Sequence, residues 1–169
     1  GSIGTTNDIT KYVEEIEGLI GNIPKKTIIA TDATVEDPSV FALEKHLEDF
    51  LVQNWEKTLL GKKYNIYEVD GDLVGQQFPS DTGNIDILAI SKDGKEILVI
   101  ELKKGRASDV VVGQVQRYMG YIKEELLENG QTVRGAIIAL EDEKKIKRAL
   151  SVVNNIDFYN YEVSFKLYK

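Results

Sequence analysis

The sequence contains no cysteine. That excludes a disulfide framework and any thiolate metal site, and it fits a reducing, cytoplasmic compartment. The only histidine is His46; it falls on the polar side of a helical pattern, so a histidine-based active site is not expected. No apolar run approaches the roughly 20 residues that a membrane-spanning helix needs. The N-terminus has no signal-peptide core, and Gly1-Ser2 reads as a remnant of tag cleavage. Repeats and low-complexity segments are absent. An excess of basic residues is missing too. The formal net charge is −7, which argues against sequence-independent nucleic-acid binding by the whole surface. Local basic tracks remain: Lys103, Lys104 and Arg106 form one, and Lys144, Lys145, Lys147 and Arg148 form another.

What is present is enough for one domain with a sizeable core, in 169 residues of ordinary apolar content. Residues 8–21 read as a short amphipathic helix and residues 27–31 as a β-like run, so residues 1–35 form a helical prelude, the possible remnant of an upstream domain. The main domain is residues 36–169. Within it, Ser39 is expected to cap a long helix from Val40 to Leu60, with Leu43, Leu47, Phe50, Leu51 and Asn54 as its inner stripe. Glu44 lies at the edge of that stripe, where a first-turn acid also suits the helix dipole. A strand at 64–69, an irregular strand at 73–78 and a loop at 79–83 follow. Beyond a central hairpin, Ser108 or Asp109 caps a second helix from Val110 to Glu128, with Val111, Val115, Tyr118, Ile122 and Leu126 buried. Gln114 and Tyr118 are one turn apart on one helix face. Val133–Leu140 reads as a buried strand parallel to the hairpin's second strand. A third helix over 141–154 and an edge strand over 156–168 complete the order.

The central hairpin carries the chemistry. Two β-rich runs, Ile85–Ser91 and Glu96–Leu102, flank Asp93-Gly94, and a type I′ turn at that dipeptide sets the register. Ile90 then faces Ile97, Leu88 faces Val99, and Asp86 faces Glu101. Ile85, Ile87, Ala89, Leu98, Ile100 and Leu102 share one face. Asp86, Glu101 and Lys103 fall together at the far end of the other. Directly opposed carboxylates have Cβ atoms roughly 5 Å apart. Their repulsion at an effective dielectric of about 20 is on the order of 3 kcal/mol. A divalent cation between them reverses that sign. The alternative is a solvated hairpin end at which Lys103 neutralises Glu101.

The segments LEKHLEDFLVQNW (43–55), GNIDILAI (83–90), VIELKKGRA (99–107) and GQVQRYMGYI (113–122) together resemble the PD-(D/E)XK nuclease superfamily, and within it the NucS-type endonuclease domain. The resemblance spans roughly Phe41 to Leu140. It implies an α/β fold with a restriction-endonuclease-like mixed β-sheet core flanked by α-helices. It implies a metal-dependent endonuclease that hydrolyses DNA phosphodiester bonds with Mg²⁺ or Mn²⁺. By that resemblance Asp86 and Glu101 are metal carboxylates, the Leu102 backbone carbonyl is a third ligand, and Glu44 binds or orients the metal–water shell. Lys103 orients or deprotonates the attacking water. Gln114 and Tyr118 support the site, and Tyr118, Lys104 and Arg106 touch the substrate backbone. The sequence departs from the pattern at Asn84, where relatives often carry Arg, and the separate N-terminal DNA-binding domain of NucS is missing or reduced to residues 1–35.

The residues themselves suit that chemistry. Phosphodiester hydrolysis needs a metal to activate phosphate and water, and a positive group near the nucleophile. Two other functions fit the same chain: a catalytically silent nucleic-acid-binding or assembly module, and an RNase or partner-switched effector nuclease. The acidic balance predicts weak binding alone, with help from a second copy in a homodimer or from a partner or fused DNA-binding domain.

Overall fold

The computed structural model describes residues 38–141, 143–162 and 166–169, with side chains from Glu44 onward. The expected helix at 8–21, the run at 27–31 and the start of the last alternation at Val163 lie outside the described residues. Helix α1 (Pro38–Gln53) begins on proline, whose fixed φ suits a first helical turn, rather than after a cap at Ser39. It stops short of Leu60 because the chain folds inward at Trp55. The Trp55 indole N–H donates to the Tyr64 carbonyl at 2.8 Å, and a 3-10 turn, Trp55–Lys57, takes over. Gly61 permits this corner, since a Cβ there would lie 1.8 Å from the Trp55 carbonyl oxygen.

The inner face of α1 is rotated by one residue from the expected stripe. Leu51 and Val52 pack inward, Glu48 is buried, and Phe50 is exposed. The face therefore runs 44-48-51-55, a helical spacing that carries two carboxylates.

Short strands follow: β1 (Tyr64–Ile66), β2 (Glu68–Val69), β3 (Asp72–Leu73) and β4 (Gln76–Ser80). The expected 64–69 strand breaks at Tyr67, and half of the expected 79–83 loop is strand. β4 pairs antiparallel with β5 (Gly83–Ser91), from Ser80↔Gly83 to Gln76↔Ile87. β5 and β6 (Glu96–Arg106) form the central hairpin in the expected register, with Ile90↔Ile97 and Leu88↔Val99.

The hairpin turn is not type I′. Gly94 has φ +74°, and Asp93 is not among the positive-φ residues. The Asp93 carboxylate instead accepts from the Ser91 hydroxyl at 2.6 Å and the Lys95 N–H at 3.0 Å. A side-chain-closed turn followed by a left-handed glycine reaches the same register by another route.

β6 continues to Arg106 instead of turning out at Lys104, with irregular pairing between Lys103 and Arg106. Helix α2 (Val110–Glu125) crosses to β7 (Thr132–Glu141), which runs parallel to β6. Helix α3 (Lys144–Leu150) is shorter than expected because Glu141 still belongs to β7. β8 (Ile156–Asn160) lies parallel to β7 at the sheet edge. The strand order is β1-β5-β6-β7-β8, with β4 also on β5. This is the mixed sheet that the sequence leads one to expect.

Both faces are covered. Leu88, Ile97, Val99, Ile137 and Ala139 pack against Val111, Val115, Met119 and Ile122 of α2 and Ile146 of α3. Ile87, Ala89, Leu98, Ile100 and Leu102 pack with Trp55, Leu60 and Tyr64 on the α1 side. Each fully buried aliphatic side chain contributes roughly 1.5–3 kcal/mol. Ile85 departs from expectation: it joins the α2-side cluster, because the ladder to β6 ends at Ile87↔Ile100 and the strands part below it. No helix among the described residues is long and apolar enough to cross a membrane.

Candidate active site

Below Ile87↔Ile100, successive N–H groups on one edge of β6 have lost their partner strand. Two carboxylates replace it. Asp86 Oδ2 accepts from the Leu102 N–H at 2.8 Å. Glu44 Oε1, reaching from α1, accepts from the Lys104 N–H at 2.8 Å. The opening of the hairpin thus draws acid side chains from β5 and α1 to the same edge of β6.

Glu101 is 2 % exposed. Its Oε1 is buried without a hydrogen-bond partner. Burial pushes the Glu101 carboxyl well above the usual range and the Asp86 charge adds to this, while the Lys103 ammonium opposes it. Asp86 is also raised, first by burial; the Leu102 N–H and Lys103 restrain it, and the Glu48 charge pushes it further up. Asp86 and Lys103 therefore act electrostatically on Glu101, although the hairpin's alternation breaks at Asp86, where Ile85 and Ile87 pack on opposite sides of the sheet.

Tyr118 meets this group from α2. It is 5 % exposed. Burial raises its phenol pKa, as do the charges of Glu101 and Asp86, so it faces them as a neutral O–H. Gln114 Nε2 lies 3.4 Å from its hydroxyl, a long contact. The approach depends on Gly83: at φ +137°, a Cβ there would lie 2.9 Å from the Tyr118 hydroxyl. The basic residues sit further along β6. Lys104 is half-buried, and its carbonyl accepts from the Tyr161 hydroxyl at 2.7 Å. Arg106 is exposed and 3.6 Å from Glu141.

Two residues that the sequence reading passed over join the site. Glu48 is 3 % exposed. It accepts from Gln76 Nε2 at 2.9 Å and Gln77 Nε2 at 2.7 Å, with Lys45 Nζ at 3.2 Å. Gln77 Nε2 also lies 3.2 Å from Asp86 Oδ1. Glu48 had a signal, since Glu44 and Glu48 are one turn apart and share a face. Gln77 had none.

The donor set suits a hard divalent cation. Burial and the Asp86 charge both disfavour the ionised Glu101 carboxyl, a penalty that a cation would relieve, and one buried Glu101 oxygen has no hydrogen-bond partner. The Leu102 carbonyl lies on the same strand edge as the N–H that Asp86 holds. Among the described residues no three Asp, Glu, His or Cys side chains cluster as a metal cage. Mg²⁺ commonly uses one or two carboxylates, with water and phosphate oxygens completing its shell.

Residues 43–164 match the family model described as Endonuclease NucS C-terminal domain. The chain is 30 % identical over 122 residues to Endonuclease NucS of Pyrococcus furiosus, covering 60 % of this chain and 44 % of that protein. It is 27 % identical over 114 residues to Endonuclease NucS of Methanopyrus kandleri, covering 68 % and 40 %. The chain thus spans less than half the length of these relatives. In fold it is similar to EndoMS solved in a complex with double-stranded DNA, with a TM-score of 0.57, 24 % identity and 73 % of this chain covered against 46 % of that one. A repair endonuclease from Pyrococcus abyssi gives a TM-score of 0.53 at 23 % identity, covering 78 % and 50 %.

Proposed function

Because the chain belongs to the family of the NucS endonuclease C-terminal domain, within the PD-(D/E)XK-like nucleases, we propose that it is a metal-dependent endonuclease hydrolysing DNA phosphodiester bonds. The observation that carries this is the buried Glu101 carboxylate, opposed by the charge of Asp86, with an oxygen that has no hydrogen-bond partner and with the Lys103 ammonium acting on it. The double-stranded DNA in the EndoMS complex supports duplex DNA as the substrate.

Asp86, Glu101 and the Leu102 carbonyl would hold Mg²⁺ or Mn²⁺. When bound, the cation polarises the phosphate and lowers the pKa of water. Lys103, on the face of Glu101, orients the attacking water and stabilises charge developing on the phosphate oxygens as the P–O bond breaks. Glu44 holds β6 in place beyond Glu101 through the Lys104 N–H. Gln114 and Tyr118 support the site, the Tyr118 O–H as a donor toward the substrate backbone. Lys104 and Arg106 contact flanking phosphates. A second subunit or an additional DNA-binding domain supplies the remaining contacts.

The test is incubation with single-stranded, duplex, branched and mismatched DNA and with RNA, with and without Mn²⁺. Metal-dependent DNA cleavage is expected, lost in Asp86→Ala, Glu101→Ala and Lys103→Ala while the far-UV circular dichroism spectrum is retained. Cleavage that survives Asp86→Ala refutes the assignment. DNA binding without cleavage across several metals would favour a silent module.

A further inference from the structure

Side chains of consecutive strand residues point to opposite faces. Gln76 and Gln77 of β4 break that rule, because both amides reach Glu48: Gln76 Nε2 lies 2.9 Å from Oε1 and Gln77 Nε2 lies 2.7 Å from Oε2. The cause is the backbone of Gln77, at φ +52°. A left-handed residue turns its side chain off the strand's alternation, here toward the side of Gln76. Among the described residues only Asp70 shares a positive φ without being glycine, and it lies in the Asp70-Gly71 turn between β2 and β3. Gln77 is the second residue of β4, between the paired residues Gln76 and Phe78. Neither a turn nor a helix cap requires its conformation.

Its position in the register supplies a reason. β4 pairs Gln76 with Ile87 and Phe78 with Ile85, so the residue opposite Gln77 is Asp86. Gln77 Nε2 donates to Glu48 Oε2 and, at 3.2 Å, to Asp86 Oδ1. The other oxygen, Asp86 Oδ2, is held by the Leu102 N–H at 2.8 Å. Both partners of the amide nitrogen are carboxylates, so the side chain must present its NH₂ to them. A hydrocarbon at this position would take a donor from the buried Glu48 carboxylate. A glutamate would add a third like charge. The contact to Asp86 is at the long end of N–H···O geometry, and a carboxylate oxygen has a second lone pair. Asp86 is therefore oriented while remaining open to a cation.

We propose that Gln77 is a positioning residue for Asp86: its left-handed backbone aims a neutral double donor between Glu48 and Asp86 and fixes the Asp86 carboxylate for the metal. This rests on the metal-site reading above. Groups that orient a metal ligand from outside its coordination shell typically change metal affinity by about 10–100-fold when removed.

The experiment uses the full chain and the variants Gln77→Gly, Gln77→Asn and Asp86→Ala, titrated with Mn²⁺ by electron paramagnetic resonance alongside thermal melts without metal. Glycine accepts the φ and removes the amide; asparagine tolerates the φ and shortens the reach. The expected result is a Gln77→Gly that still folds, with a melting temperature lowered by the donor that Glu48 loses, and whose Mn²⁺ affinity is weaker by about 10-fold or more. Gln77→Asn should also weaken binding. Wild-type affinity in both variants overturns the proposal. So does failure of both to fold, since Gln77 would then be holding the strand rather than Asp86. If Asp86→Ala binds Mn²⁺ as the wild type does, the metal-site reading itself fails, a result distinct from either.

Discussion

Asp86 and Glu101 have native pKa values raised above the ordinary carboxylate range, so the native chain binds more protons at these groups than the unfolded chain does. Stability without metal then falls as pH rises from about 4, the unfolded value, through the raised native pKa of Glu101. A divalent cation would offset the carboxylate charges that protons otherwise neutralise. Mn²⁺ should therefore raise the melting temperature more at about pH 8 than at about pH 5; a shift that shrinks with pH would contradict this, and melts with and without Mn²⁺ decide it. Glu101→Gln removes one of the opposed charges, so the metal-free chain should gain about 1 kcal/mol, roughly 2–4 °C in Tm, while cleavage is lost. Gly83→Ala should have the opposite sign. It places a Cβ at φ +137°, 2.9 Å from the Tyr118 hydroxyl, and strain of this kind costs about 1–3 kcal/mol. In a Tyr118→Phe background the steric part of that loss should disappear and the backbone part remain, as urea titrations can measure. At this scale the hairpin register brings Asp86 near Glu101 and Lys103 in the sequence reading, but the way Asp86 reaches them was not legible, because the ladder ends at Ile87↔Ile100 and alternation breaks between Ile85 and Ile87. Gln77 was not legible. Nothing in a single sequence marks a glutamine for left-handed backbone, and only the neighbouring carboxylates give the conformation a purpose.

Elements were legible where apolar periodicity was strong and illegible where polar demands set the geometry. The hairpin register follows the alternation of Leu88, Ile90, Ile97 and Val99, and it survives the wrong turn type because the Asp93 side chain closes the same loop. Helix α1 was misread by one residue. Its stripe was centred on Leu47 and Phe50, whereas the face that packs carries Glu48, whose burial is supported by three donors and not by hydropathy. β4 reads QQFPS, a polar stretch with proline, so its pairing on β5 left no pattern to find. The sequence predicts a buried stripe on α2, but not that it packs on β7 or where the contact is tightest. A Cβ on Gly135 would lie 2.6 Å from Val115 Cγ1 and 2.8 Å from Met119 Sδ. Valine is stiff at χ1 and methionine is adaptable, so Gly135→Ala should cost about 1–3 kcal/mol. Val115→Ala should recover part of that loss in the double variant, and Met119→Ala less, by chemical denaturation. If the two partner substitutions rescue equally, flexibility of the contact does not control the cost.

On the proposed function, charge and extent decide how the molecule as a whole would meet DNA. A net charge of −7 leaves the track of Lys103, Lys104 and Arg106 as the basic patch nearest the site. Counterion release gives a slope of about −0.9 in log affinity against log salt per phosphate neutralised, so three such contacts predict about −3. Arg106 and Glu141 are both 60 % exposed and 3.6 Å apart, a pair of the weak surface kind. Arg106→Ala should therefore flatten the slope by about 1. Glu141→Gln, by releasing Arg106 and removing a negative charge beside it, should tighten binding modestly. Fluorescence anisotropy across a salt series tests both. The relatives from Pyrococcus furiosus and Methanopyrus kandleri are more than twice the matched length. Linking further contacts to this weak track multiplies affinity without altering the site, because the second contact becomes intramolecular. A chain tested alone should consequently cleave with a high KM and an ordinary dependence on Asp86. If it instead binds duplex DNA tightly with a slope much steeper than about −3, the contact surface lies beyond these three residues, and the second basic track on α3 becomes the surface to test.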